Sequence, residues 1–331
     1  MSELVVVTTS YPRHRGDAEG HFVGAEVRRL CARASVTVLA PGERAGSLWG
    51  ERIVGLPGGD AFGFPGALSK LRERPLRALA ATRFVTSAID WLRRAPSPEH
   101  VIAHFLLPCG FPIATRGLRG RSAQLELVVH GSDARLFAQL PLGRERIARE
   151  LLASQARLRF VSSELRALLL ASLPPRLAEP LAARARVEPS PIDVDQAPAR
   201  LEARRLLGIA AQAKVAVVVA RLVPEKRVDV ALEACRRVRA LSSYVIGDGP
   251  ERARLEQLYP EARFVGQVER PRALAHIAAA DVLVSASLHE GAPSVVREAR
   301  ALGTPVVCLA AGDLRQWAAS DPGLNVVGLR A

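Results

Sequence analysis

The chain has 331 residues, of which 49% are hydrophobic, a composition typical of a globular protein with room for two α/β domains. Lysine and arginine (46) outnumber aspartate and glutamate (33), and the resulting net charge of +13 favours an anionic partner. Only positions 70, 214 and 226 are lysine, so the excess is arginine, and a codon bias toward arginine would produce the same excess.

The composition also argues against several classes of protein. Aromatic residues make up 5% of the chain and no nucleic-acid-binding motif is present, so we expect no nucleic-acid partner. The cysteines are scattered without CxxC spacing, which predicts neither a disulfide framework nor a metal site. They are Cys31, Cys109, Cys235 and Cys308. Without a secretory leader or an apolar run of about 18 residues, a soluble, cytoplasmic protein is expected.

The N-terminal segment reads as the opening of a doubly wound sheet. Strand Leu4–Thr8 leads through a long charged loop to a helix, Val23–Ala34, and a second strand, Ser35–Ala40. A dinucleotide site would need GxGxxG in that loop, whereas the glycines are spaced by four residues. These are Gly16, Gly20 and Gly24. A nicotinamide cofactor is therefore not expected.

The segment Phe64–Ala95 alternates leucines with arginines and is broken by Pro75. A basic amphipathic segment can lie at a membrane interface. Core helices with one solvated face would show the same pattern, and that interpretation stays open beside peripheral membrane contact.

Two apolar strands of the first half each end in a histidine. Val101–Phe105 carries His104, and Leu125–Val129 runs directly into His130 and the sequence GSD. Ligands of open α/β sheets bind at the carboxyl ends of strands, so His130 is a candidate site residue. A structural role for a lone histidine is the alternative.

The middle of the chain contains the expected domain boundary. Strand-like Arg159–Ser163 is followed by a helix, Glu164–Leu173. The proline-rich residues 174–180 then predict a poorly constrained connection, and Val187–Gln196 marks the entry to the second half.

The second half begins with strand Val215–Ala220, which leads into RLVPEKR. Arg221 can direct two donors at phosphate oxygens, and Lys226 adds a point charge. Strand Tyr244–Ile246 ends in GDG, where Gly247 and Gly249 allow close backbone approach to a ligand. The segment Phe264–Val268 follows.

Residues 285–298, SASLHEGAPSVVRE, join a strand to a helix. Pro293 suits a helix start, and the N–H groups of Ser294 and Val295 at a helix N-terminus would attract an anion such as a phosphate. Glu290 and Glu298, separated by seven residues, can accept hydrogen bonds from sugar hydroxyls. A surface helix with two solvated glutamates is the alternative.

These blocks resemble the retaining glycosyltransferases of the glycogen-synthase and mannosyltransferase type, family GT4 of the group 1 glycosyltransferases. The resemblance rests on EG-x-P and EA around Glu290 and Glu298, on RLVPEK, and on the order of the GDGP, FVGQV and HEG-x-P segments. It implies an α/β, GT-B fold: two Rossmann-like domains facing each other across a cleft. The implied domains are an acceptor-side domain at 1–180 and a nucleotide-sugar donor-binding domain at 187–331.

The resemblance also implies roles for individual residues. The implied catalytic group acts on the transferred sugar and the leaving diphosphate, and it comprises His130, Glu290, Arg221 and Lys226. The implied donor-binding group comprises Gly20, Gly247, Gly249, Val268, Gly291, Ser294, Val295 and Glu298. A simple turn role for Gly20 stays open. The resemblance implies no metal. It implies no cofactor either, because the nucleotide diphosphate sugar is a co-substrate.

The expected reaction transfers a sugar to an acceptor hydroxyl with retention, in cell-surface polysaccharide or glycolipid synthesis. The acceptor is unidentified, and the basic charge favours an anionic or lipid-linked one, with the enzyme cytoplasmic or peripheral at the inner face of the membrane. Ala220 and Arg227 stand where the family prefers glycine, and the family's C-terminal crossover helix is absent. These departures leave open a catalytically impaired nucleotide-sugar-binding protein or a truncated chain, and a GT-B sugar-nucleotide epimerase, which would keep the diphosphate site, is a separate alternative.

Overall fold

The computed structural model describes residues 3–63, 74, 76–96 and 98–328. The chain divides into two compact units. The first contains residues 1–15 and 19–191, and the second contains residues 16–18 and 192–331. Each unit is built around its own largely parallel β-sheet.

Strands and helices alternate through the first unit. Its strands are β1 (Glu3–Val7), β2 (Ser35–Pro41), β3 (Ala45–Gly46), β4 (Arg52–Leu56), β5 (His100–His104), β6 (Gln124–Val129), β7 (Arg157–Phe160) and β8 (Ala185–Val187). Its helices are α1 (His21–Cys31), α2 (Arg77–Arg94), α3 (Gly131–Gln139), α4 (Arg144–Ala153), α5 (Ser163–Ala171) and α6 (Pro175–Ala182). Irregular helical turns, interrupted by extended residues at Leu107 and Phe111, occupy Leu106–Ala114 after β5.

The first sheet has the order β3-β4-β2-β1-β5-β6-β7-β8 among the described residues. Every pairing is parallel except that of β3 with β4. Val6, Val36 and Val38 form a buried cluster with Val23 and Val27 of α1, so the apolar strands are covered by the helix that connects them. This is the doubly wound arrangement that the strand–loop–helix–strand pattern predicts.

The boundary region differs from the sequence interpretation. Residues 175–182 form helix α6 rather than a poorly constrained connection. Pro175 occupies the first helical turn, where proline is favoured, and Leu177 and Leu181 bury the same face. Strand β8 then pairs with β7, so the first sheet continues past residue 180, where the sequence interpretation ended the first domain.

The amphipathic segment lies partly outside the described residues, which omit 64–73 and 75. Its later part forms α2, in which Phe84, Ala88 and Leu92 are buried. Leu76 and Leu79 are exposed at the start of this helix. The described part of the segment therefore packs as a core helix with a solvated face. In the part of the chain that the structure describes, no helix has both the length and the apolar content needed to cross a bilayer.

The second unit repeats the strand–helix alternation. Its strands are β9 (Lys214–Val219), β10 (Leu241–Ile246), β11 (Arg263–Gly266), β12 (Val282–Ser285), β13 (Val306–Leu309) and β14 (Leu324–Val327). Its helices are α7 (Arg200–Leu206), α8 (Val228–Arg236), α9 (Arg252–Leu258), α10 (Arg270–Ala279), α11 (Ser294–Ala301) and α12 (Leu314–Ala318).

The second sheet is parallel throughout its described strands, in the order β11-β10-β9-β12-β13-β14. Alternate residues of β9 enter different cores. Val215 and Val217 pack in one buried cluster, while Val218 packs in another with residues of α8 and α9. Burial on both faces explains why β9 reads as an unbroken apolar run.

One buried arginine joins α7 to the second sheet. Arg204 is 3% exposed, and it donates to the carbonyl oxygens of Ala279 and Ala211 as well as to Asp281. Its Nη2 lies 2.9 Å from Asp281 Oδ2, which also accepts from the N–H of Val215 at 2.8 Å. Burial alone would raise the pKa of Asp281, but the N–H of Val215, Arg200 and Arg204 together lower it. Arg204 thus neutralises a carboxylate at the amino edge of the sheet.

We expect Arg204→Ala to lower the free energy of unfolding by about 3 kcal/mol, since it removes the charged donor from the buried carbonyl oxygens of Ala279 and Ala211 and one of the two arginines that pair with Asp281. Arg200→Ala is the matched control, because Arg200 pairs with the same Asp281 from a side chain that is 47% exposed. It should cost less than about 1 kcal/mol. Urea unfolding followed by circular dichroism measures both, and equal losses would contradict the importance of the buried arginine.

Candidate functional site

The carboxyl edge of the second sheet contains a topological switch point. Strand β9 lies between β10 and β12, so the chain leaves β9 toward one side of the sheet and returns on the other side. The loops that follow β9 and β12 therefore diverge. Open α/β sheets bind ligands in the crevice that such diverging loops create.

The loop after β9 carries Arg221 and a 3₁₀ turn, Pro224–Lys226. The N–H of Leu222 donates to the carbonyl oxygen of Asp248 at 2.9 Å, and the N–H of Glu251 donates to the carbonyl oxygen of Leu222 at 3.0 Å. These bonds hold the loop against the one that follows β10. The side chain of Arg221 is exposed at this edge.

A salt bridge joins the two sides of the switch point. Lys226 Nζ, after β9, lies 2.5 Å from Glu290 Oε1, after β12. Beside it, the N–H of Leu288 donates to the carbonyl oxygen of Glu225 at 2.9 Å. The lysine and glutamate side chains are 20% and 14% exposed, so water screens this pair less than a surface pair. Two residues predicted to bind the same ligand are thus brought into direct contact.

Helix α11 begins immediately after the loop that contains Glu290. It starts at Ser294, one residue later than Pro293, because Pro293 occupies the N-cap in an extended conformation. Proline has no side chain that can accept a hydrogen bond from the first turn, and no acidic residue lies in that turn. The N–H dipoles of this terminus therefore favour an anion. Val295 and the preceding Gly291 are partly buried here.

Glu298 lies on α11 and is 4% exposed. Its Oε1 accepts from Nη1 of Arg270 at 3.0 Å, and Nη2 of Arg270 donates to the carbonyl oxygen of Asp193 at 2.5 Å. Sequence reasoning identified Glu298 but missed Arg270, which is the first residue of α10. Its only signal in the sequence is a cation just after the FVGQV segment. Arg270 therefore fixes the orientation of the Glu298 carboxylate on α11.

The glycines predicted to bind the donor lie at strand ends. Gly247, directly after β10, has φ +128°, and a Cβ there would lie 1.9 Å from the carbonyl oxygen of Ala220. Only glycine allows this approach between two loops of the edge. Gly249 lies two residues later and donates to its neighbour Asp248 at 2.7 Å. Val268 follows β11 and packs partly buried against the core.

The first unit has its own switch point, because β1 lies between β2 and β5. His130 occupies the N-cap position of α3 at the carboxyl end of β6, makes no side-chain capping bond and is partly buried. Its ring centroid lies 5.0 Å from that of Phe22 and 4.7 Å from that of Phe105. Gly20 is the left-handed N-cap of α1 and packs closely on the backbone of Ser10. This edge is therefore lined by aromatic and imidazole rings.

Buried ionisable groups lie behind His130. Burial lowers the pKa of His104 to about 3 and that of His130 well below its usual value, with Arg159 lowering both further. Burial raises the pKa of Asp133 to about 7, against the effect of backbone donors that include the N–H of Leu106 at 2.5 Å. Both histidines are consequently neutral at physiological pH.

With this geometry established, comparison with known proteins identifies the second unit. Residues 213–326 match the family model described as glycosyl transferases group 1. The second unit carries a group 1 glycosyltransferase domain. The resemblance to group 1 glycosyltransferases read from the sequence is thereby confirmed, and the matched residues contain the whole switch-point edge from Arg221 to Glu298.

The matches extend beyond the group 1 domain. A putative teichuronic acid biosynthesis glycosyltransferase, TuaC of Bacillus subtilis, is 28% identical over 337 residues, covering 94% of this chain and 81% of the relative. Sucrose-phosphate synthase from Thermosynechococcus elongatus has a TM-score of 0.76 at 18% identity, covering 100% of this chain and 87% of that one. Anabaena HepE in complex with UDP has a TM-score of 0.62 at 16% identity, covering 96% and 82%. Such likeness at low identity shows the GT-B class of fold.

The close approach at Gly247 generates a testable prediction. Gly247→Ala should separate the loops after β9 and β10, because its Cβ would meet the backbone of Ala220, and should abolish binding of UDP, GDP or ADP. The control is Gly208→Ala, which also has positive φ but nothing within 4 Å of its Cβ. The control should lose about 1–2 kcal/mol of stability and keep nucleotide affinity. Titration calorimetry and urea unfolding measure the two effects, and wild-type affinity in Gly247→Ala would contradict the prediction.

Proposed function

We propose that the protein is a retaining glycosyltransferase, which moves a sugar from a nucleotide diphosphate sugar to an acceptor hydroxyl. The observation that carries the proposal is the Lys226–Glu290 contact across the switch point of a group 1 domain. In this contact a cation that can bind a phosphate lies beside a carboxylate that can accept from a sugar hydroxyl, which supports the proposal. The relatives that share this fold include one in complex with UDP.

In this proposal the diphosphate binds between the β9 loop and α11. Arg221 and Lys226 offset the charge of the diphosphate as it departs. The N–H groups of Ser294 and Val295, at the positive N-terminal end of the α11 dipole, donate to its oxygens. Donors preorganised toward developing charge contribute several kcal/mol to catalysis. Because these groups can offset the charge of the leaving diphosphate, we propose metal-independent transfer.

The remaining polar groups fix the two sugars of the donor. Glu298, oriented by Arg270, accepts from the ribose hydroxyls, and Glu290 accepts from the hydroxyls of the transferred sugar. Gly247, Gly249 and Gly291 let the backbone approach the nucleotide, while Val268 packs on the base. For His130 and Gly20 we propose contacts with the sugar or the acceptor.

The acceptor class is proposed from charge and from a relative. The net charge of +13 favours an anionic or lipid-linked acceptor, and TuaC is described as acting in teichuronic acid biosynthesis. We therefore propose a role in cell-surface polysaccharide or glycolipid synthesis, in the cytoplasm with peripheral contact at the inner face of the membrane. Incubation with candidate donors and lipid-linked acceptors, followed by NMR of the product anomer, tests both acceptor and retention.

The diphosphate site predicts selective nucleotide binding. Titration with UDP, GDP and ADP in the presence of EDTA should give micromolar binding of one nucleotide, and Arg221→Ala should weaken it by about 10-fold or more, since a charged hydrogen bond is lost. Arg237→Ala is the control, because this arginine is 77% exposed at the C-cap of α8. Failure of all three nucleotides to bind would overturn the donor site. A requirement for a divalent cation would overturn metal independence alone.

The Lys226–Glu290 pair predicts opposite effects on binding for its two members. Glu290→Gln frees Lys226 to bind phosphate, so nucleotide affinity should hold or rise, while turnover should fall about 100-fold or more as a sugar contact is lost. Lys226→Met should weaken nucleotide binding and turnover together. Calorimetry and donor-turnover kinetics separate these outcomes. Unchanged turnover in Glu290→Gln would remove this glutamate from the catalytic group.

A further inference from the structure

In the first unit, three polar side chains lie in a row inside the protein: Glu26, His104 and His130. The Nε2 atom of His130 lies 3.3 Å from Nδ1 of His104, and the two rings are nearly parallel at 19°. His104 ends β5 and is fully buried. Two imidazoles in this relation can share one hydrogen bond, in which one ring donates and the other accepts.

Glu26 of α1 continues the row. The Nε2 atom of His104 faces Oε2 of Glu26 at 3.7 Å. Within the described chain neither atom has a hydrogen-bond partner, although both are buried. A buried donor or acceptor without a partner costs free energy, and a closer approach of a few tenths of an ångström would satisfy both atoms at once. The two atoms are therefore matched to each other.

Charge fixes which group donates. The other oxygen of Glu26 pairs with Arg159, whose Nε lies 3.1 Å from Glu126. A guanidinium is always charged and keeps its partner carboxylate ionised, and an ionised carboxylate only accepts hydrogen bonds, so Glu26 can accept a hydrogen bond from His104 but cannot donate one. Arg186 and Glu188 complete the charged groups on the neighbouring strand.

The direction of the whole row follows. With Nε2–H of His104 donated to Glu26, Nδ1 of His104 is left as an acceptor, so Nε2 of His130 must carry the proton between the rings. We propose that Glu26, acting through His104, holds His130 in the Nε2–H tautomer and leaves its Nδ1 as an acceptor for a hydroxyl of the sugar or the acceptor. Glu26 and His104 are positioning residues, and the identity of that hydroxyl rests on the proposed function.

The neutral state of both rings supports this assignment. Burial keeps the pKa of His104 near 3 and that of His130 well below its usual value, so the row controls a tautomer rather than a charge. Burial raises the pKa of Glu26, while Arg159 opposes that rise. A protonated Glu26 would reverse the row and place the proton on Nδ1 of His130.

The tautomers can be measured without any substrate. The chain has seven histidines, so two-bond ¹H–¹⁵N correlation of ¹⁵N-histidine-labelled full-length protein resolves each ring. We expect His104 and His130 as Nε2–H tautomers at neutral pH. Nδ1–H tautomers, or a charged ring at either position, would overturn the proposal. Assignment comes from His104→Phe and His130→Phe.

The same His104→Phe variant tests the consequence, because it keeps a ring of similar size and leaves the Glu26–Arg159 pair in place. His130 should then populate both tautomers, and kcat should fall about 10- to 100-fold with the donor KM unchanged, as when an orienting partner is removed. In Glu26→Gln the single amide oxygen stays with Arg159 and the amide N–H faces His104, so the row should reverse, His130 should carry its proton on Nδ1, and kcat should fall as well. The control is His276→Phe, a buried histidine of the second unit, which should change neither.

The outcomes separate the two proposals. If His104 and His130 show the expected Nε2–H tautomers but the protein transfers no sugar, the proposed function is overturned and the hydrogen-bond row stands. Sugar transfer with wild-type kcat in a folded His104→Phe variant would overturn the positioning role. A raised KM with constant kcat would likewise contradict it, since orientation acts on the chemical step.

Discussion

The direction in which parallel strands are connected determines where the polar groups of this protein can gather. All parallel strands of a sheet have their carboxyl ends at the same edge. In the second unit, β10 and β11 lie on one side of β9, and β12 to β14 lie on the other. The loops after β9 and β12 diverge there, and a lysine and a glutamate meet between them. The close approach at Gly247 and the N-terminus of α11 lie at the same edge for the same reason.

The sequence was sufficient to predict the doubly wound class of fold and the separate polar segments, because both are local. Unbroken runs such as Lys214–Val219 mark strands that are buried on both faces, and turn residues mark their ends. The sequence did not predict that Lys226 contacts Glu290. That contact joins residues 64 positions apart and depends on the strand order, which no local pattern encodes.

Other features were missed because they depend on burial. Prolines at 174, 175 and 180 suggested a loose connection, whereas Leu177 and Leu181 hold the segment as a helix against the first core. Arg270 and Glu26 look like ordinary surface charges in their helices. Each is instead buried or nearly so and faces a partner from a distant element, Glu298 for Arg270 and Arg159 for Glu26. Side-chain burial of this kind follows only from tertiary packing.

The two sheets use one topology to produce edges of different chemistry. At the switch point of the second unit the groups are ionic, with Lys226 and Glu290 beside a helix terminus that favours an anion. At that of the first unit, Phe22 and Phe105 flank a neutral His130, and the compensated charges of Glu26 and Arg159 lie behind the rings. An ionic edge suits a diphosphate. A neutral edge with one imidazole acceptor suits hydroxyl groups, which need hydrogen bonds but carry no charge to be offset.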